Sequence, residues 1–219
     1  MTVQSNPAGE VRRLPMFPLG TVLLPGSLLP LHLFEDRYLR MVEDLLAGDR
    51  EFGVVLIQRG NEVGGGDERY DVGTRARLLE AREQPDGMWM AVAVGLQRIR
   101  VEAWLPDDPY PVADVRTWPD ERDAGPLGGM VDDLRGRLGR LLAGHRELGD
   151  RLPTNDPVGD GDLADDPSLA TFQLAGLAPV GVHDRQRLLE IRDAASRGAE
   201  LGHLLDEAQE MVDLRLAGG

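Results

Sequence analysis

The hydrophobic period of this chain changes partway along it, from two residues before about residue 118 to three or four after residue 120. Period two is the mark of a strand with one face buried, and a period near 3.6 that of an amphipathic helix. A chain that switches once from the first to the second builds a β-rich half and then a helical half. The expected fold class is therefore α+β, with one unit over 1–119 and a second over 120–219.

In the first half Val54-Val55-Leu56-Ile57 is a continuous apolar run suited to a strand buried on both faces. Val72, Thr74, Ala76 and Leu78 alternate with Gly73, Arg75 and Arg77, as in a half-exposed strand. Gln84-Pro85-Asp86-Gly87 supplies a proline of fixed φ and a glycine that tolerates positive φ, which predicts a turn. Beyond it Met88, Val92 and Val94 alternate with Trp89, Ala91 and Ala93, so the two runs are expected to pair as a hairpin. Gly95 breaks the alternation and predicts a bulge or bend before Ile99, Val101 and Ala103 resume it. Tyr110–Trp118 reads as one more strand. A helix over Glu35–Leu46 puts Tyr38, Met41, Val42, Leu45 and Leu46 on one stripe.

In the second half Leu127, Val131, Leu134, Leu138 and Leu141 predict a long helix, weakened by Gly136 and Gly139. A second helix is expected from Asp165 or Ser168 to Leu174. Asp184 reads as the cap of a third carrying Leu188, Leu189 and Ile191. The last is expected over Ala199–Leu214, with Leu201, Leu204, Leu205, Ala208, Met211 and Val212 inward. Together they predict a small bundle.

Composition excludes several kinds of chemistry. There is no cysteine, so disulfides, thiolate metal sites and thiol nucleophiles are absent. All 24 basic residues are arginine. A phosphate-cradling loop needs its lysine, and a Ser-Lys dyad does too. Gly64-Gly65-Gly66 is followed by Asp67 and Glu68, which repel phosphate, and it reads as a loop tip. Ser27 lacks the second glycine of a nucleophile elbow. The histidines His32, His145, His183 and His203 form no i, i+4 pair, and His32 among Leu31, Leu33 and Phe34 reads as a buried or half-buried imidazole. Asp156, Asp160, Asp162 and Asp165 lie in an acidic loop without the closing glutamate of an EF-hand, so a solvated loop is expected there. No catalytic residue, metal or cofactor is expected.

The net charge of −14 disfavours nucleic acid as a partner. The first 119 residues carry 13 arginines and 18 acids, the remainder 11 and 20, so the helical half is the more acidic. The apolar stretch Leu14–Phe34 is cut by Pro15, Pro18, Pro25 and Pro30, so it neither spans a membrane nor reads as a secretory signal. A cytoplasmic location is the expectation. The same prolines are expected to keep edge strands from extending.

The run Leu14-Pro15-Met16-Phe17-Pro18-Leu19, then Leu24-Pro25-Gly26-Ser27-Leu28-Leu29-Pro30-Leu31-His32-Leu33-Phe34-Glu35-Asp36-Arg37-Tyr38, resembles the opening of the Lon protease N-terminal, substrate-binding domain. Phe52-Gly53-Val54-Val55, Val72-Gly73-Thr74, Asp86-Gly87, Gly95 to Val101 and Tyr110-Pro111-Val112-Ala113 match that family in order. Arg185-Gln186-Arg187-Leu188-Leu189-Glu190 resembles its C-terminal helix, so the likeness spans about 12–215. The resemblance implies a PUA-like β-rich subdomain followed by a helical one. It also implies a free-standing member, without the ATPase and peptidase that accompany this domain in Lon proteases.

What such a domain does follows by implication: it binds unfolded or extended polypeptide without catalysis, as an adaptor or holdase in protein quality control. Exposed apolar side chains would do the binding, and Trp89, with Met88, Met90 and Trp104, are the candidates. Two alternatives remain. One is an RNA-binding PUA-like module using Arg75, Arg77, Arg98 and Arg100 as a basic stripe on one sheet face. The other is a scaffold that recruits a protease or ATPase as its specific protein partner.

Overall fold

The computed structural model describes residues 10–60, 68–85, 87–121, 127, 129–150 and 163–218. Gly64–Gly66, Asp86 and the acidic residues Asp156, Asp160 and Asp162 lie outside these. The chain divides into two compact units, Met1–Pro119 and Asp120–Gly219.

The first unit runs β1 (Val11–Leu19), β2 (Leu28–Leu33), α1 (Asp36–Ala47), β3 (Glu51–Arg59), β4 (Glu68–Glu83), β5 (Trp89–Trp104) and β6 (Val112–Thr117). Strands β1, β3, β4, β5 and β6 pair in that order, and β6 pairs back onto β1, which closes a ring. Among the described strands only the β1–β3 pair is parallel. Strand β5 makes this possible because it is 16 residues long. One edge of it runs along β4, while the other is shared: Trp89–Val94 take β2 and Ile99–Trp104 take β6.

β1 instead takes one partner on each edge, with Val11–Pro15 on β6 and Met16–Leu19 on β3. That corrects the assignment of the prolines to edge strands alone. Pro15 and Pro18 sit in a strand partnered on both sides, but at different residues. Each proline therefore has one side without a ladder partner, where a missing N–H costs nothing.

Alternation along the strands sorts the core into two clusters. Leu14, Met16, Val55, Ile99, Val101, Ala113 and Val115 turn into the ring. Phe17, Leu29, Leu31, Leu33, Phe52, Val54, Leu78, Ala91 and Ala93 turn outward, beneath Tyr38, Met41, Val42 and Leu45 of α1. Burial of this order, at roughly 25 cal/mol per Å² of apolar surface, is what holds α1 on the sheet. Gly95 is required by a close approach, since a Cβ there would lie 2.4 Å from the Leu24 carbonyl oxygen. Its backbone accepts from Gly26 N–H at 2.8 Å and donates to Ser27 at 2.9 Å, docking the Leu24–Ser27 turn on β5. The expected bulge is there: the β4–β5 register shifts between Arg75 and Ala76, opposite Gln97 and Gly95. The hairpin turn also forms, with Gly87 at φ 82° donating to Gln84 O.

The second unit contains α2 (Met130–Glu147), α3 (Pro167–Leu177), α4 (Val182–Glu190) and α5 (Ala194–Ala217). Asp166 caps α3 through Ser168 N–H, and Asp193 caps α5 through Ser196 N–H. Three expectations shift. Gly181, not Asp184, precedes α4, and Asp184 lies in its first turn where a carboxylate favours the helix dipole. The cap at Asp193 starts α5 five residues earlier than Ala199, and Met211 points to solvent while Val212 packs against Gly144. Arg197 is wholly buried. Its guanidinium donates to Asp120, Thr171 Oγ1, Ser168 and the Ile191 carbonyl and stacks 3.6 Å from the Phe172 ring.

Candidate polypeptide-binding surface

The upper part of the first unit is the three-stranded patch β2–β5–β4. Its α1 side is core. Its other side carries Pro30 and His32 of β2, Met90 and Val92 of β5, and Glu80 and Arg82 of β4, in register as Pro30–Val92–Glu80 and His32–Met90–Arg82. Met90 is 49% exposed and Met88, at the end of the hairpin, 43%. Large apolar side chains left in water at one spot mark a surface that gains from being covered.

Trp89, the first candidate from sequence, falls on the α1 side and packs half-buried against the outer cluster. The reason is alternation: Ala91 and Ala93 turn inward, so Trp89 must as well. It still lines a cavity of about 410 Å³ together with His32, Gln84, Pro85, Met88 and Met90. Met88, Trp89 and Met90 thus come together. Trp104 does not join them. It lies at the far end of β5 against the inward cluster, with the Arg69 guanidinium 4.4 Å from its ring centroid.

Two residues that the sequence reading did not place at this surface lie beside it. Phe34 is 58% exposed just past the end of β2. His32, expected to be buried or half-buried, is exposed, because Leu31 and Leu33 take the core side of the strand. The period-two rule applied to Leu29, Leu31 and Leu33 would have found both. A second cavity, about 260 Å³, runs along β2 and shares His32 with the first.

The basic stripe does not form. Thr74 faces Arg98 and Arg75 faces Gln97 across the β4–β5 ladder, so Arg75 and Arg98 lie on opposite faces. Both are buried. Arg75 binds Glu51 at 3.0 Å, and burial lowers its pKa against the pull of that carboxylate. Glu51 also accepts from Arg12 and Arg77, each at 2.6 Å. Arg98 lies 4.7 Å and Arg100 5.9 Å from the Trp118 ring centroid. At the base of α1 the Tyr110 hydroxyl donates to Asp44 at 2.8 Å, and burial followed by that bond pushes the phenol up to about 12.

In the helical unit a cavity between α2 and α5 is lined by Asp133, Arg137, His203 and Asp206 beside small residues. Arg137 bridges both aspartates, at 2.8 and 2.6 Å, so its charge is already matched. Among the described residues no three His, Asp or Glu side chains converge as a metal site requires. No described helix is long and apolar enough to cross a membrane. The chemistry offered by the β2–β5–β4 surface is apolar contact, with His32 the titratable side chain of its first cavity.

Similar proteins carry this architecture. The chain is 25% identical over 207 residues to the Lon protease of Cytophaga hutchinsonii, covering 92% of this chain and 25% of that protein. It is 26% identical over 211 residues to Lon protease 2 of Herpetosiphon aurantiacus, covering 94% and 25%. It thus spans about a quarter of the length of these curated relatives. Among solved structures, a Lon N-terminal domain protein from Xanthomonas campestris matches with a TM-score of 0.59 and 27% identity, covering 89% of this chain and 98% of that one. The N-terminal domain of a Mycobacterium avium complex Lon protease matches with a TM-score of 0.63 over the same shares; at 18% identity it speaks to the fold alone. The family model for the substrate-binding domain of the ATP-dependent protease La (Lon) matches residues 13–207. The chain belongs to the Lon substrate-binding domain family.

Proposed function

We propose that this chain holds exposed apolar segments of unfolded polypeptide, as an adaptor or holdase in protein quality control, and performs no chemistry itself. One observation carries the reading: Met88, Met90 and Phe34 stand exposed around two adjoining cavities at one end of the β unit. Methionine suits such a role, because its unbranched, polarizable side chain adapts to varied apolar partners. Aromatic and aliphatic anchors supply most of the binding energy in peptide recognition. The family name supports the substrate-recognition part of this reading.

Nucleic acid is the weaker alternative, since Arg75 and Arg98 are buried and the charge is −14. The test is a titration of the chain against a labelled, permanently unfolded protein, with labelled single-stranded RNA in parallel. Saturable binding of the unfolded protein alone is expected. Salt-sensitive binding of RNA alone would overturn the reading, and binding of neither would redirect the search to a protease or ATPase recruited as a specific partner.

A further inference from the structure

The ring of strands is closed only along part of its height. Below, β6 bridges β5 and β1. Above, β2 takes the place of β6 on the edge of β5, yet among the described residues it pairs with β5 alone. Phe17–Leu19 at the top of β1 likewise pair with β3 alone. Two strand edges therefore face a gap that no described strand fills. The 260 Å³ cavity lies in that gap, lined by Phe17, Leu19 and Thr21 on the β1 side and by every residue from Leu29 to Glu35 on the β2 side. Consecutive strand residues point to opposite faces, so a cavity touching all of them lies along the backbone edge rather than over either face.

We propose that this gap is a slot into which an extended polypeptide segment inserts as an added strand, a proposal that rests on the polypeptide-binding reading. Open strand edges present N–H and C=O groups at the spacing of another strand, and only an extended chain matches that pattern. The occupant's side-chain chemistry follows from the walls. They are apolar except for Thr21, His32, Glu35 and the hydroxyl of Tyr38, and the charge of Glu35 is met by Arg37 at 3.1 Å. A slot without net charge on a chain of −14 selects an uncharged segment, apolar at alternate positions, with basic rather than acidic flanks. Pro18 and Pro30 place one residue without an N–H on each edge, which limits the ladder to a short segment and discourages sheet growth between copies. The slot adjoins the Met88/Met90 surface through His32, so one segment can use both.

The test uses a short fluorescent peptide alternating valine and serine with an arginine at each end, and two copies N-methylated at its odd or its even residues. N-methylation removes backbone donors and leaves the side chains. Strand insertion predicts that one methylated copy loses about tenfold or more in affinity. It also predicts that the unmodified peptide slows amide hydrogen exchange within Leu28–Leu33. Binding that tolerates both methylation patterns, or that leaves those amides exchanging as in the free protein, overturns the slot and leaves the polypeptide-binding reading standing. Failure of every peptide to bind overturns both.

Discussion

In the β unit one buried ion cluster centres on a carboxylate, Glu51, gripped by Arg12, Arg75 and Arg77; in the helical unit one centres on a guanidinium, Arg197, gripped by Asp120. The two clusters differ in how completely they are satisfied. All three nitrogens of Arg197 donate, and neutral acceptors from Ser168, Thr171 and Ile191 complete what Asp120 begins. Around Glu51, with Asp49 also bound to Arg12, three cations meet two anions, and Arg75 Nε is buried without a hydrogen-bond partner. The surplus charge is tolerated because Arg77 and Arg12 reach water. A sealed, matched ion is costly to disturb, whereas a leaky one is partly rescued by solvent.

The largest effect that follows is for Arg197→Met, which strands Asp120 and should cost about 3–5 kcal/mol. Glu51→Gln should cost less, about 2–3 kcal/mol, since solvent screens part of the surplus charge. The three tryptophans, Trp89, Trp104 and Trp118, all belong to the first unit. Denaturant unfolding followed by tryptophan fluorescence therefore reads the β unit, and helical ellipticity weights the other. Equal losses, or an Arg197 variant that shifts fluorescence first, would break the contrast.

Glycines sharpen it. A Cβ on Gly73 would lie 2.2 Å from the Val54 carbonyl oxygen, so Gly73→Ala must move a strand and should cost about 1–3 kcal/mol. A Cβ on Gly139 of α2 meets nothing within 4 Å, so Gly139→Ala should stabilise the helical unit by about 0.5–1 kcal/mol. Thermal melts of the two variants should move in opposite directions.

The smallest effects are at the pH extremes. The hydrogen bond from Arg215, then that from His145, hold Asp150 well below the usual carboxylate range. A depressed carboxylate adds stability above its unfolded value near ~4 and loses it as pH falls through the folded one. Tyr110 behaves oppositely: its contribution is full below the unfolded value near ~10 and is lost as pH rises through about 12. Asp150→Asn should flatten the acid limb of the stability profile of the helical unit, and Tyr110→Phe the alkaline limb of the β unit. An Asp150→Asn protein with an unchanged acid limb would remove that half of the contrast.

Local signals were legible in the residues. Alternation put Leu78 on the buried face of its strand and Ala91 and Ala93 on one face with Trp89, Gly95 announced the bulge, and the Gln84–Gly87 turn joined the strands it should. Pairing between distant segments was not legible. Nothing near Trp89 or Trp104 says that β5 divides one edge between β2 and β6, and that division separates Trp104 from Met88 and Met90 and leaves the slot open. Arg75, Arg98 and Arg197 are buried against the usual habit of charged side chains, because their partners, Glu51, Trp118 and Asp120, come from other elements. Phe34 and His32 were within reach of the period-two rule but stood inside an apolar run that hid their direction.

The central claim is that exposed apolar side chains at the hairpin end hold polypeptide. Its most direct test is the affinity of the Met88→Asp, Met90→Asp double variant for a labelled, permanently unfolded protein, beside its thermal melt. Both side chains are nearly half exposed, so the melt should stay close to that of the parent chain. The account predicts an affinity loss of about tenfold or more with that melt retained. Undiminished binding by a folded double variant would contradict it.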